Sequence, residues 1–202
     1  MSIEIVNIVV SMRFTRKFKS HEMVALHAAI PALLNHEEFV NSAYFRENYI
    51  EDEGEHDILL DGYIYQYGDS GARILVLPSV MIAVGDTDMA SITYNLHDLL
   101  HQLNKTGVAK TNTPGPIVIL NMMGVENIGR TIDIIAMDNA GDNGVLSSTQ
   151  VGNKLTLHYD DERRHKMTVL IFESGKVIYI GSRTESSIQR LSRSVHRRIV
   201  GF

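Results

Sequence analysis

Thr168-Val169-Leu170-Ile171-Phe172-Glu173-Ser174-Gly175-Lys176-Val177-Ile178-Tyr179-Ile180-Gly181 is the stretch whose reading decides the fold. It is the larger part of two apolar runs, Lys166–Phe172 and Lys176–Ile180, separated by a turn, which predicts an antiparallel hairpin. The same arrangement occurs upstream, where Arg73–Leu77 is followed by a turn and then by Val80–Val84. Each hairpin ends at a glycine, Gly85 or Gly181, then at a candidate capping residue, Thr87 or Thr184. A long segment with helical spacing follows in each case. Its apolar positions are Met89, Ile92, Leu96, Leu99, Leu100 and Leu103 in the first copy, and Ile188, Leu191, Val195 and Ile199 in the second.

Working outward, the duplication extends to the start of each copy. Ile5–Val10 and Ile119–Gly124 are short apolar runs with one asparagine at the same place, Asn7 and Asn121. Each is followed by a short helical segment, Met23–Ala28 or Ile134–Asp138, for which Ser20 and Thr131 are the candidate N-caps. The chain therefore divides into a first repeat over residues 1–103, a linker over 104–116 and a second repeat over 117–202, with an insertion in the first repeat around 30–55. Each repeat reads strand, helix, antiparallel strands, long helix. The expected class is α+β, with the two sheets joined into one continuous curved antiparallel surface and the helices on its convex side.

The 202 residues are 44% apolar, enough for a buried core. No basic leader precedes the first apolar run, and no apolar segment approaches the roughly 18 residues of a membrane-crossing helix. Cysteine is absent, which excludes disulfides, thiolate metal sites and cysteine nucleophiles. The net charge of −5 is unusual for a nucleic-acid binder, but it is unevenly spread. Residues 1–110 hold 8 basic and 15 acidic side chains, residues 111–202 hold 11 and 9, so an anionic partner is expected to lean on the second half.

At this point the chain resembles the TATA-binding protein family. The segment Leu170-Ile171-Phe172-Glu173-Ser174-Gly175-Lys176 is similar to that family's hairpin signature, and the paired Asn7-Ile8-Val9 and Asn121-Met122-Met123 resemble the opening of its two repeats. Val24–Ala28 resembles its first helix. The resemblance implies a saddle of two pseudo-twofold repeats that binds the minor groove of A·T-rich duplex DNA and kinks it with apolar wedges. It implies that Asn7 and Asn121 donate to the acceptors that A·T pairs show in that groove, with Val9 and Met123 beside them on the same face. Phe172 matches a wedge. Its partner on the preceding strand aligns near Gly152, and the first-repeat equivalents are Leu60 and either Val76 or Leu77, so three of four aromatic wedges are missing and a weaker or lopsided kink is expected. Leu170, Ile178, Ile180, Ile82 and Val84 complete the apolar face, and Ile180 and Val84 stand where the family commonly has threonine. Lys176 matches a phosphate-contacting position and Arg183 lies close to another.

Arg190, Arg193 and Arg197 form a basic stripe on the last helix, opposite its apolar one. The resemblance assigns this helix to protein partners. It also implies B-type and A-type general transcription factors and RNA polymerase machinery as partners, with the loops around residues 68–71 and 160–164 as docking stirrups. Ser174-Gly175-Lys176 lacks the frame of a phosphate loop, no histidine spacing persuades as a metal site, and no nucleophile–base pair stands out, so neither an enzyme nor a cofactor is expected. The competing reading is a protein-interaction module or homodimer that uses the same saddle with little sequence-specific DNA binding. The departures from the family pattern fit a fast-evolving source such as a viral or parasite transcription system. The expected location is the nucleus for a cellular protein, and a cytoplasmic replication site or the virion for a viral one.

Overall fold

The computed structural model describes residues 3–29, 62–67, 72–108, 114–139, 145–160 and 164–200. The expected insertion around 30–55, Leu60 and the loop at 68–71 lie outside them, as do residues 161–163 of the second loop. In chain order the elements are β1 (Glu4–Phe14), α1 (Ser20–Ala29), β2 (Tyr63–Tyr67), β3 (Ala72–Val76), β4 (Val80–Asp86), α2 (Met89–Lys105) and β5 (Pro114–Asn127). They continue with α3 (Ile134–Asn139), β6 (Ser147–Val151), β7 (Lys154–Asp160), β8 (Lys166–Phe172), β9 (Lys176–Ser182) and α4 (Glu185–Val200). The strands are hydrogen-bonded in the order β2-β3-β4-β1-β5-β9-β8-β7-β6.

The chain forms two compact units, an N-terminal one of Val9–Val118 and a C-terminal one of Met1–Ile8 with Ile119–Phe202. The division falls inside β1 and inside β5, because the opening strand of each repeat is long enough to serve both units. In each unit the strands alternate with period two between a face covered by a helix and an open face.

In the N-terminal unit the covered face carries Val10, Met12, Ile74, Val76, Met81 and Ala83, all buried. Helix α2 contributes Ile92, Leu96, Leu99, Leu100 and Leu103 from one stripe. Its N-cap is Asp88, whose carboxylate accepts from the backbone N–H of Ala90 and Ser91, rather than Thr87, one residue earlier. A carboxylate reaches two orphan amides where a hydroxyl reaches one, which favours Asp at this start. Helix α1 begins at Ser20 itself, and Glu22 reaches back to the Lys19 N–H at 2.8 Å, so the capping contact comes from the third residue of a capping-box arrangement and not from Ser20. Arg16 holds Glu22 through two bonds of 2.8 and 2.7 Å, and this pairing keeps the Glu22 carboxyl down at about 2.

The C-terminal unit covers its sheet differently. Helix α4 buries Ile188, Val195 and Ile199, but it also closes over a buried carboxylate, Glu126 on β5, which is 4% exposed. Tyr179 on β9 donates its hydroxyl to Glu126, Ser192 on α4 donates to both carboxylate oxygens at 3.2 and 3.1 Å, and His196 Nε2 lies 3.1 Å from one of them. Burial, and then the bond to Glu126, raise the Tyr179 hydroxyl's pKa far above the usual tyrosine value, so it stays a neutral donor. Gly124 allows this close seating, since a Cβ there would lie 2.8 Å from Ile3 and 3.1 Å from Ile188. Thr184 caps α4 as its sequence position suggests, accepting from the Ser187 N–H. Helix α3 is capped by Asp133, which accepts from the Ala136 N–H, and not by Thr131.

Candidate nucleic-acid interface

The open face of the C-terminal unit is built from alternate residues of four strands. Cross-strand pairing sets Thr156, Leu170, Ile178 and Val125 in one row, His158, Thr168 and Ile180 in the next, and Lys154 opposite Phe172. Leu170, Phe172, Ile178 and Ile180 are half-buried on this face, while the intervening Val169, Ile171, Val177 and Tyr179 are buried on the other. Lys166 and Lys176 share the period of the open face and are exposed, so with Lys154 three ammonium groups surround an apolar centre. Arg183 is exposed just beyond β9.

Asn7 and Asn121 both belong to the C-terminal unit and both are half-buried on its open face, as is Met123 on β5, while Val9 is half-buried in the N-terminal unit. Asn7 donates its side-chain amide to the Met123 sulfur at 3.9 Å. The Asn121 side-chain oxygen accepts the backbone N–H of Gly181 at 2.8 Å. A backbone N–H can only donate, so it fixes the oxygen inward and leaves the Asn121 NH2 as a donor for an outside acceptor. The bond exists because β5 and β9 slip register between Met122 and Gly124, beside a Gly181 at φ +95°. A Cβ at Gly181 would meet the Lys166 carbonyl oxygen at 2.5 Å.

Three features of this face were not singled out by sequence reasoning. His158 and Thr168 form a cross-strand pair, Nδ1 to Oγ1 at 3.2 Å, and Thr156 adds a second hydroxyl one row along. Lys154 stands next to Phe172. The strict alternation of Lys154-Leu155-Thr156-Leu157-His158-Tyr159 was the signal available for all three. Near Gly152, with which the missing second wedge aligns, the large exposed side chain is Val151, 65% exposed and paired with Lys154 across the β6–β7 turn.

The open face of the N-terminal unit is of another kind. Ile82 and Val84 on β4 are half-buried, but the row Ile64, Leu75, Ile82 and the neighbouring Leu77 and Val80 form their own apolar cluster. Within it Ile64, Leu75 and Leu77 are 7%, 3% and 8% exposed. Leu77, expected as a first-repeat wedge, is therefore buried, and Val76, its alternative, is buried on the helix-covered face. The reason is packing: alternation puts Leu77 on the same face as Leu75, and there it joins the apolar cluster with Ile64, Val80 and Ile82. Arg73 is the exposed cation of β3 on this face.

Arg190, Arg193 and Arg197 are exposed along α4, away from its buried stripe. A groove of about 270 Å³ runs between that helix and the covered side of β7 and β8, with Arg190 and Arg197 on its rim and Met167 and Leu191 on its floor. No described helix is long and apolar enough to cross a membrane.

Residues 116–202 match the protein family described as transcription factor TFIID (or TATA-binding protein, TBP). No curated protein matches the sequence. Among solved structures, the chain is similar to Methanococcus jannaschii TBP, with a TM-score of 0.68 at 18% identity over 100% of both chains. That likeness gives the chain the α+β fold of the TATA-binding protein. The second repeat thus matches the TATA-binding protein family, and the chain from end to end is similar in fold to a TATA-binding protein.

Proposed function

We propose that this protein is a core-promoter factor that binds A·T-rich duplex DNA in the minor groove, with the C-terminal unit's open face supplying most of the contact. The observation that carries the reading is the inward-held Asn121 oxygen, which leaves an NH2 donor on a face of half-buried apolar side chains ringed by Lys154, Lys166 and Lys176. A·T pairs show only acceptors in the minor groove, so an amide donor matches them while lysines neutralise phosphate. Phe172 and Leu170 are the side chains placed to press against a base step, and the buried state of Leu77 supports a kink that is weak or asymmetric. The arginine stripe of α4 is the docking surface for protein partners, among them the B-type and A-type general factors and the polymerase machinery.

The test is fluorescence anisotropy at low salt with A·T-rich and G·C-rich duplexes. The expected outcome is micromolar or tighter binding that prefers A·T, weakens as salt rises, and drops about tenfold, or roughly 1.4 kcal/mol, when Asn7→Ala and Asn121→Ala are combined. Equal binding to both duplexes overturns sequence-directed recognition. A second reading, a protein-interaction module or homodimer with little DNA specificity, is favoured by the buried Ile64, Leu75 and Leu77, which remove apolar contacts from half of the expected surface. A dimer in light scattering that DNA does not dissociate supports it.

A further inference from the structure

Two histidines on α2 stand outside the interface. His97 and His101 are exposed, four residues apart on the side of the helix away from Leu96, Leu99, Leu100 and Leu103. At that spacing two side chains lie one turn apart on the same face, with Cβ atoms about 5–6 Å from each other, close enough for both imidazoles to reach one ion. Neither ring makes a hydrogen bond or ion pair among the described residues, so no existing contact has to be broken. The backbone beneath them is fixed in advance. Helix α2 runs for 17 residues, is capped by Asp88, and buries leucines on either side of the pair, so binding orders only the two side chains.

We propose that His97 and His101 form a two-ligand site for a divalent transition metal ion, with Cu2+ bound more tightly than Ni2+ or Zn2+ and water in the remaining positions. Neutral imidazole nitrogen suits these ions, and copper leads the affinity order for a given nitrogen site. Asp98 faces Gln102, which donates to it at 3.4 Å, and no group of three or more ligating side chains occurs among the described residues, so those residues supply two ligands. Tyr94, 70% exposed, and Lys105 continue the same exposed stripe at either end, and neither is a ligand for such an ion at neutral pH. The site lies across the unit from the open sheet face, so it stands or falls independently of DNA binding.

The experiment is a competition titration of the full chain with Cu2+, and then with Ni2+ and Zn2+, against a chromophoric chelator. One ion per chain is expected, bound at least tenfold more tightly than by either His97→Gln or His101→Gln. The decisive variant exchanges two positions of the same exposed stripe, His101→Lys with Lys105→His, which keeps the composition identical but breaks the four-residue spacing; its binding should fall to that of the single variants. Circular dichroism checks that the helix is retained in each. If the exchanged variant binds as tightly as the unaltered protein, or if the unaltered protein binds no more tightly than His97→Gln, the site does not exist.

Discussion

The two units use the same strand–helix plan and cover it in opposite ways. The C-terminal unit leaves its open face half-exposed and ringed by lysines, and places a buried carboxylate, Glu126, beneath its helix. The N-terminal unit's long helix presents a buried stripe of isoleucine and leucines, and the unit buries Ile64, Leu75 and Leu77 on the face that its counterpart leaves open. Duplication fixes the alternation of faces, but not what each face is for. A buried aliphatic row contributes stability through lost water contact, whereas a half-exposed row surrounded by cations is suited to a partner that brings its own surface and negative charge.

The largest expected effect comes from breaking the polar anchor. Glu126→Ala leaves the Tyr179 and Ser192 hydroxyls buried without their acceptor and should cost about 4 kcal/mol, read as a lower denaturant midpoint. Next, Leu75→Ala should cost about 3 kcal/mol while leaving DNA affinity unchanged, because its side chain is in a core. Phe172→Ala should do the reverse, weakening DNA binding about tenfold with a loss of stability nearer 1 kcal/mol. An equal loss of affinity in both variants would break the contrast between the two faces. Smaller again, Lys154→Ala should lower the slope of log affinity against log salt by about 0.9 without altering the A·T preference, and Arg73→Ala should leave that slope nearly unchanged.

The smallest effect concerns the Arg16–Glu22 pair. The folded carboxyl titrates at about 2, below its unfolded value, so the pair's contribution is fully present above pH 4.5 and fades as pH falls towards 2. Glu22→Gln should therefore narrow the gap in melting temperature between pH 5 and pH 2.5, by an amount that shrinks in high salt because the pair is solvent-accessible.

Most of the plan was legible in the sequence, and the misses have physical causes. The hairpins followed from paired apolar runs on either side of a turn, in Arg73–Val84 and Lys166–Ile180, and the long helices from apolar positions at helical spacing. The helix starts were off by one or two residues at Asp88 and Asp133, since neighbouring Thr and Asp are both good caps and only backbone geometry selects between them. Glu126 gave no sign of burial, because its three partners come from 53 to 70 residues further along the chain. The burial of Leu77 was equally hidden: alternation assigns it to a face, but whether that face is covered depends on Ile64 and other distant neighbours. At the candidate site the asparagines and the Phe172 hairpin were readable from their repetition, whereas Lys154, Thr156 and His158 lie in a strand with no counterpart motif to draw attention to it.

On the proposed minor-groove reading, the Gly181 contact makes one main-chain atom the arbiter of which base pair is welcome. Its N–H holds the Asn121 carboxamide with nitrogen outermost. Any residue that pushes β9 away from Lys166 frees that carboxamide to rotate, and the group would then offer oxygen, a match for the exocyclic amine of guanine instead of for adenine and thymine. A lexical choice usually credited to side chains would, in this protein, be made by a hydrogen that every glycine has and that no substitution of Asn121 can supply.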